Sequence, residues 1–243
     1  MLTLNSLSVS IADTPVLRDI SASFPLGSVT AVLGPNGSGK STLARAIMGD
    51  PQLHCTGTIT LTSDTDTISL HDLPPDARAR HGVFVSAQSP PTIDGVRVHD
   101  IMRAALTDTS RTALSVTTAV TTAAEALDID TDLLRRALND GASGGERKKL
   151  ELLQMAVLDP TYIILDEIDT GVDVDALRTV RTFLQTVLQT RPRALIIITH
   201  TGGILRDLTI DHTLILRDGT IAHQGDGALA HHVISQGFSS LPS

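Results

Sequence analysis

Residues Gly34 to Thr42 read GPNGSGKST and match the spacing G-x-x-x-x-G-K-[ST] in full. Glycines at 34, 37 and 39 let the backbone curl so that successive N–H groups face one point, a nest for an anion. Lys40 can then reach the β- and γ-phosphates of a nucleotide, and the Ser41 hydroxyl can ligate Mg²⁺. A second segment, Ser143 to Asp173, reads SGGERKKLELLQMAVLDPTYIILDEIDTGVD. It opens with Ser143-Gly144-Gly145-Glu146 ahead of a helical pattern, where free N–H groups and the helix dipole favour a phosphate. It closes on an apolar strand, Tyr162 to Leu165, that runs into Asp166-Glu167. Paired carboxylates at the end of a buried strand suit a magnesium ion and a positioned water. The two segments are halves of a phosphoryl-transfer apparatus.

Elements of the right kind flank them. Ser28 to Leu33 is apolar and β-branched enough for a buried strand, and Ser41 to Met48 continues as a helix, the context a P-loop needs. Loose alternation over Thr3–Ile11, Leu17–Phe24, Gly57–Leu61 and Thr67–Leu70 predicts a small antiparallel sheet. Pro74-Pro75 opens a short helix. Gly82–Ser86 reads as a core strand, broken by Gln88-Ser89-Pro90-Pro91. From Val98 to about Leu158 the pattern is mainly helical. Strands return at Tyr162–Leu165, Ala194–Thr199 and Thr213–Arg217, and Asp218-Gly219 turns the last into Thr220–Gln224. The expected architecture is an α/β P-loop core with a helical insertion between Gln88 and Ser143.

Composition bounds the partners. The 243 residues can bury a large core in one domain or two lobes. Nineteen Lys and Arg against 27 Asp and Glu give a net charge of −8, which argues against nonspecific nucleic-acid binding. The N-terminus lacks a signal pattern and no apolar run nears the ~20 residues of a membrane span, so a soluble, cytoplasmic protein is expected. The single cysteine, Cys55, excludes an internal disulfide.

The P-loop, Gln88, the SGGE, the Asp166-Glu167 pair, Thr170-Gly171-Val172-Asp173 and His200 behind a strand resemble the ABC-type ATPases, in order and over the whole chain. Within that superfamily the chain is similar to the SufC group, the ATPases of the SUF iron–sulfur cluster assembly system. Three features carry this: SGGE where transporter subunits usually read SGGQ, the run Leu153-Gln154-Met155-Ala156-Val157-Leu158, and Asp166-Glu167-Ile168-Asp169 where transporters usually read Asp-Glu-Pro. Ile168 and Thr201-Gly202-Gly203 depart from the pattern of that group.

The resemblance implies one ABC ATPase domain over 1–243, with a RecA-like core and small antiparallel β-subdomain (1–92 and 157–243) and a helical subdomain (93–156). It implies ATP and Mg²⁺ as ligands. Gly34, Pro35, Asn36, Gly37, Ser38, Gly39, Lys40, Ser41 and Thr42 would cradle phosphate. Ser41, Gln88 and Asp166 would serve the metal, Glu167 the attacking water and His200 the γ-phosphate. Ser143, Gly145 and Asp173 would meet nucleotide held by a second copy in a transient, ATP-dependent, head-to-tail homodimer. SufB- and SufD-like scaffold proteins are the implied partners, docked through the Gln88 loop and the helical subdomain. Clusters usually need several thiolates, and with Cys55 alone this chain is expected to hold none. A transporter's nucleotide-binding subunit is the alternative. A DNA-repair or structural-maintenance ATPase would carry coiled-coil or zinc insertions.

Three finer expectations follow from the residues. Residues 9 to 17, near Ile11, contain no aromatic on which a base could stack. Pro90, Pro91, Ile93 and Val96, within the stretch 87–96, would form an extended, apolar docking rim. Arg147, Lys148 and Lys149 are either a solvated basic face or the source of a lysine, Lys148, that pairs with the Glu167 carboxylate at rest.

Overall fold

The computed structural model describes residues 1–63, 65–86, 88, 90–107 and 109–241. Its elements are β1 (Leu2–Ile11), β2 (Thr14–Phe24), β3 (Val29–Leu33), α1 (Lys40–Met48), β4 (Leu53–Thr62), β5 (Thr67–Ser69), α2 (Pro75–Arg80), β6 (Val83–Val85), β7 (Ile93–Arg97), α3 (Val98–Ala105), α4 (Ala113–Ala126), α5 (Thr131–Arg135), β8 (Ala137–Leu138), α6 (Gly144–Leu158), β9 (Tyr162–Asp166), α7 (Val174–Thr190), β10 (Ala194–Ile198), β11 (His212–Arg217), β12 (Thr220–Gly225) and α8 (Gly227–Gln236). Among the described residues no helix is long and apolar enough to cross a membrane.

The central sheet has the order β12-β11-β3-β10-β9-β6. β3, β9 and β10 are buried at every residue, as continuous apolar runs in a sheet covered on both faces should be. They run parallel, with Ile198 opposite both Val32 and Asp166. Their carboxyl ends, which lead to Gly34, Glu167 and His200, therefore open on one edge, where α/β sheets bind ligands.

Alternate strand residues feed opposite cores. Ile164 and Val32 join α1's Leu43 and Ile47 and the inner face of the antiparallel sheet β2-β1-β4-β5. Ile163 and Leu165 face the core built with Leu150 and Leu153 of α6 and Met102 of α3.

The expected strands and helices are all present, with β2 and β4 starting earlier than their alternation suggested. One local difference matters. The segment beyond Gln88 is paired, β7 lying antiparallel to β8 with Ile93 opposite Leu138. A partner 45 residues away leaves no local pattern. Helix α7 is not among the elements expected from sequence, although Leu177, Val180, Leu184 and Val187 recur at helical spacing along it.

Candidate functional site

The P-loop leaves β3 and enters α1 through positions only glycine can fill. A Cβ on Gly34 would lie 2.3 Å from the Leu216 carbonyl oxygen and 2.7 Å from Ser38 Oγ. Gly39 is left-handed at φ 100° and forms the N-cap of α1. Lys40 is buried, and its ammonium donates to the carbonyls of Gly34 (2.9 Å) and Pro35 (3.0 Å). Burial pulls its pKa down, while the charges of Glu167 and Asp166 push it back up. At the far end of α1, Arg78 donates to the carbonyls of Ala46 and Ile47 and, with its other nitrogens, to those of His71 and Leu73. This clamp on the phosphate-binding helix carried no sequence signal.

Asp166 ends β9. Burial pushes its carboxyl above the ordinary range, against a hydrogen bond from the Ser41 hydroxyl. Its Oδ1 is buried without a hydrogen-bond partner. Ser86 fixes the strand end by accepting from the Asp166 N–H at 2.8 Å. Glu167 turns at φ 50°, a conformation in which its N–H donates to Ile198 at 2.9 Å. Its carboxylate is divided between two neighbours: Gln88 Nε2 donates to Oε2 at 3.1 Å, and His200 Nδ1 lies 3.1 Å from Oε1.

Gln88, Glu167 and His200 thus meet Asn36, Gly37, Gly39, Lys40, Ser41 and Thr42 around one cavity of about 410 Å³, with Val16 on its wall. Ser41, Gln88 and Asp166 line an adjoining cavity of about 520 Å³. Its unpaired buried carboxylate oxygen, a hydroxyl and an amide are oxygen-bearing groups of the kind a hard divalent cation takes, so these residues fit Mg²⁺. Such an ion would neutralise phosphate charge.

Ser143, Gly145 and Asp173 are not brought to this cavity. Ser143 caps α6 in a capping box with Glu146, and Asp173 caps α7 by accepting from Ala176 at 2.8 Å. A Cβ on neighbouring Gly144 would come 3.8 Å from the Gly171 carbonyl, so both loops share one exposed face.

Two expectations need correction. Lys148 does approach Glu167, but its ammonium donates to the backbone carbonyl at 2.6 Å, and the carboxylate faces Gln88 and His200. It is no solvated lysine either, being buried on the inner face of α6. On the docking rim, Pro90 is buried, while Pro91 and Ile93 are exposed and Val96 is half-buried. Asn139 accounts for the order here by donating to the Pro91 carbonyl at 2.7 Å. Ala87 and Ser89 of that stretch lie outside the described residues.

A mainly parallel sheet whose strand ends present a phosphate nest, a metal-fitting carboxylate and a glutamate–histidine pair defines a P-loop ATPase. The ABC transporter family profile matches residues 17–170, and the chain belongs to that ATPase family. A probable ABC transporter ATP-binding protein of Streptococcus pyogenes serotype M3 is 37% identical over 247 residues, covering 99% of this chain and 94% of its own length. A probable ATP-dependent transporter of Synechocystis is 36% identical over 249 residues, covering 99% and 95%. The probable ATP-dependent transporter ycf16 of Cyanophora paradoxa is 34% identical, covering 99% and 94%. In fold, the chain is similar to a dimeric ABC transporter cassette (TM-score 0.79, 16% identity, 93% of this chain and 98% of that one). A second similar structure is the ATP-binding subunit of an ABC transporter (TM-score 0.77, 20% identity, 99% and 95%).

Proposed function

We propose that this ATPase is the energy-converting subunit of an iron–sulfur cluster assembly complex, working on SufB- and SufD-like scaffold proteins. Lys40, Ser41, Thr42 and the N–H groups of residues 34–39 hold the phosphates. Ser41, Gln88 and Asp166 hold Mg²⁺. Glu167 orients the attacking water and accepts its proton, and His200 contacts the γ-phosphate. Ser143, Gly145 and Asp173 complete a second copy's site, so the γ-phosphate favours the closed dimer and its loss releases it. Scaffold proteins fixed to residues 93–156, the helical subdomain, would feel that change as a movement.

The observation that carries the reading is the turn Asp166-Glu167-Ile168-Asp169. Ile168 is fully buried, and Asp169 accepts hydrogen bonds from Thr199 and Thr201 beside His200. This turn stands where a transporter subunit usually has Asp-Glu-Pro. The names of the Streptococcus and Synechocystis relatives favour a second reading, the nucleotide-binding subunit of a membrane transporter. Purification of the tagged chain in its native complex separates the two. Soluble scaffold proteins with bound iron and sulfide support the first reading, and an integral membrane protein overturns it.

A further inference from the structure

Asp169 is 7% exposed and does not line the nucleotide cavity. Its two oxygens lie 3.0 and 2.9 Å from the donating Thr199 hydroxyl. The Thr201 hydroxyl donates to it at 2.5 Å, and the Ile204 N–H reaches it at 3.4 Å. Thr199 Oγ1 in turn accepts from the N–H groups of Thr201 (3.1 Å) and Gly202 (3.2 Å). The residues on both sides of His200 are therefore tied to one carboxylate on the Glu167 turn. Thr199 is fully buried, so a lost acceptor would strand its hydroxyl away from water. Ionised acceptors also make the stronger bonds.

The unusual Thr201-Gly202-Gly203 fits this arrangement. Gly202 is left-handed at φ 68°, and a Cβ there would sit 2.5 Å from Ile234 of α8. A Cβ on Gly203 would approach Leu177 at 3.2 Å and Asp169 Oδ2 at 3.6 Å. A side chain at Gly202 would be strained by its left-handed backbone, and one at Gly203 would crowd Leu177.

We propose that Asp169 is a positioning residue for ATP hydrolysis: through Thr199 and Thr201 it holds the His200 ring at its contact with the Glu167 carboxylate. The inference rests on Glu167 and His200 acting together at the reacting phosphate. A small displacement of such a pair lowers the rate of the chemical step more than it weakens substrate binding.

The test compares full-length wild type with Thr199→Val, which keeps shape and removes the hydroxyl, and Thr199→Ser, which keeps the hydroxyl. Steady-state hydrolysis gives kcat and KM, and the His200 ring resonance, assigned by its loss in His200→Ala, reports position without turnover. Thr199→Val should lower kcat roughly tenfold or more with little change in KM, and move the resonance. Thr199→Ser should restore both. Asp169→Ala added to Thr199→Val should lower kcat no further, as expected of one connected unit. Thr201→Val, at a more exposed position, replaces Thr199→Val if that variant fails to fold. A wild-type kcat with an unmoved resonance in the valine variant overturns the proposal. A wild-type chain no faster than Glu167→Gln would instead refute the roles of Glu167 and His200, while the resonance still decides what Asp169 holds.

Discussion

The ammonium of Lys148 donates to the backbone carbonyl of Glu167 at 2.6 Å, so a lysine on α6 holds the turn that aims the Glu167 carboxylate elsewhere. Burial lowers the Lys148 pKa, and Glu151, Asp166, Asp169 and Glu167 around it raise it again. Leaving the Glu167 carbonyl without its buried donor costs about 1–3 kcal/mol. Lys148→Ala should therefore lower the melting temperature and also reduce kcat, because the left-handed Glu167 turn loses its support. Calorimetry and steady-state hydrolysis check this. Faster basal hydrolysis at unchanged stability would argue for a restraining role instead.

Gly34→Ala should fold poorly and lose nucleotide. The added methyl meets the Leu216 carbonyl of β11, a strand paired on both sides, so the neighbour cannot withdraw. Overpacking of this kind costs about 1–3 kcal/mol and would displace the loop that carries Lys40. Thermal melting and an ATP titration measure the two effects.

The capping box gives a pH dependence. Glu146 is held below the usual carboxylate range by the Ser143 side chain first, and then by the Ser143 backbone N–H. A depressed folded value means that the contribution is complete above the unfolded value of about 4.3 and is lost as pH falls through the lower folded one. Glu146→Ala should cost about 0.3–1.5 kcal/mol at neutral pH, and the gap to wild type should close in acid. Denaturant titrations at pH 7 and pH 3 provide the comparison, and an equal gap at both would exclude the charge.

Gly145 separates folding from assembly. Nothing lies within 4 Å of a Cβ placed there, so Gly145→Leu should melt like wild type. In the proposed head-to-tail dimer the same space would belong to the other copy's nucleotide. With ATP, in a Glu167→Gln background, the leucine variant should sediment as a monomer where the parent dimerises. Unimpaired dimerisation would remove Gly145 from the seam.

What was legible in the sequence was local or motif-bound. GPNGSGKST between a strand and a helix fixes its own geometry, and the short apolar, β-branched runs at 162–165 and 194–199 read as buried strands. What stayed hidden depends on contacts far apart in sequence. Lys148 sits 19 residues from Glu167 and chooses its carbonyl over its carboxylate, a choice set by how α6 lies under β9. Asp169 reaches Thr199 and Thr201 across 30 and 32 residues, so its place in a family string said nothing of its bonds. Pro90 sits in an extended loop sequence, yet it is buried in the fold.

Nucleobase selectivity should be weak. The wall of the phosphate cavity offers Val16, and residues 9–17 hold no aromatic side chain. Tyr162, Phe24 and Phe183 are buried in the cores, and Phe84 and Phe238 pack against the same core as Phe183. Stacking of a base on an aromatic ring is worth about 1–3 kcal/mol in single-strand binders, and that increment should be missing here. An apolar valine contacts adenine and guanine alike, so competition titrations should find GTP within about tenfold of ATP, a difference under about 1.4 kcal/mol. Val16→Tyr should tighten both purine nucleotides by the stacking increment while leaving the Lys40 and Ser41 contacts in place. A wild-type chain that strongly prefers ATP would show instead that another group reads the adenine edge.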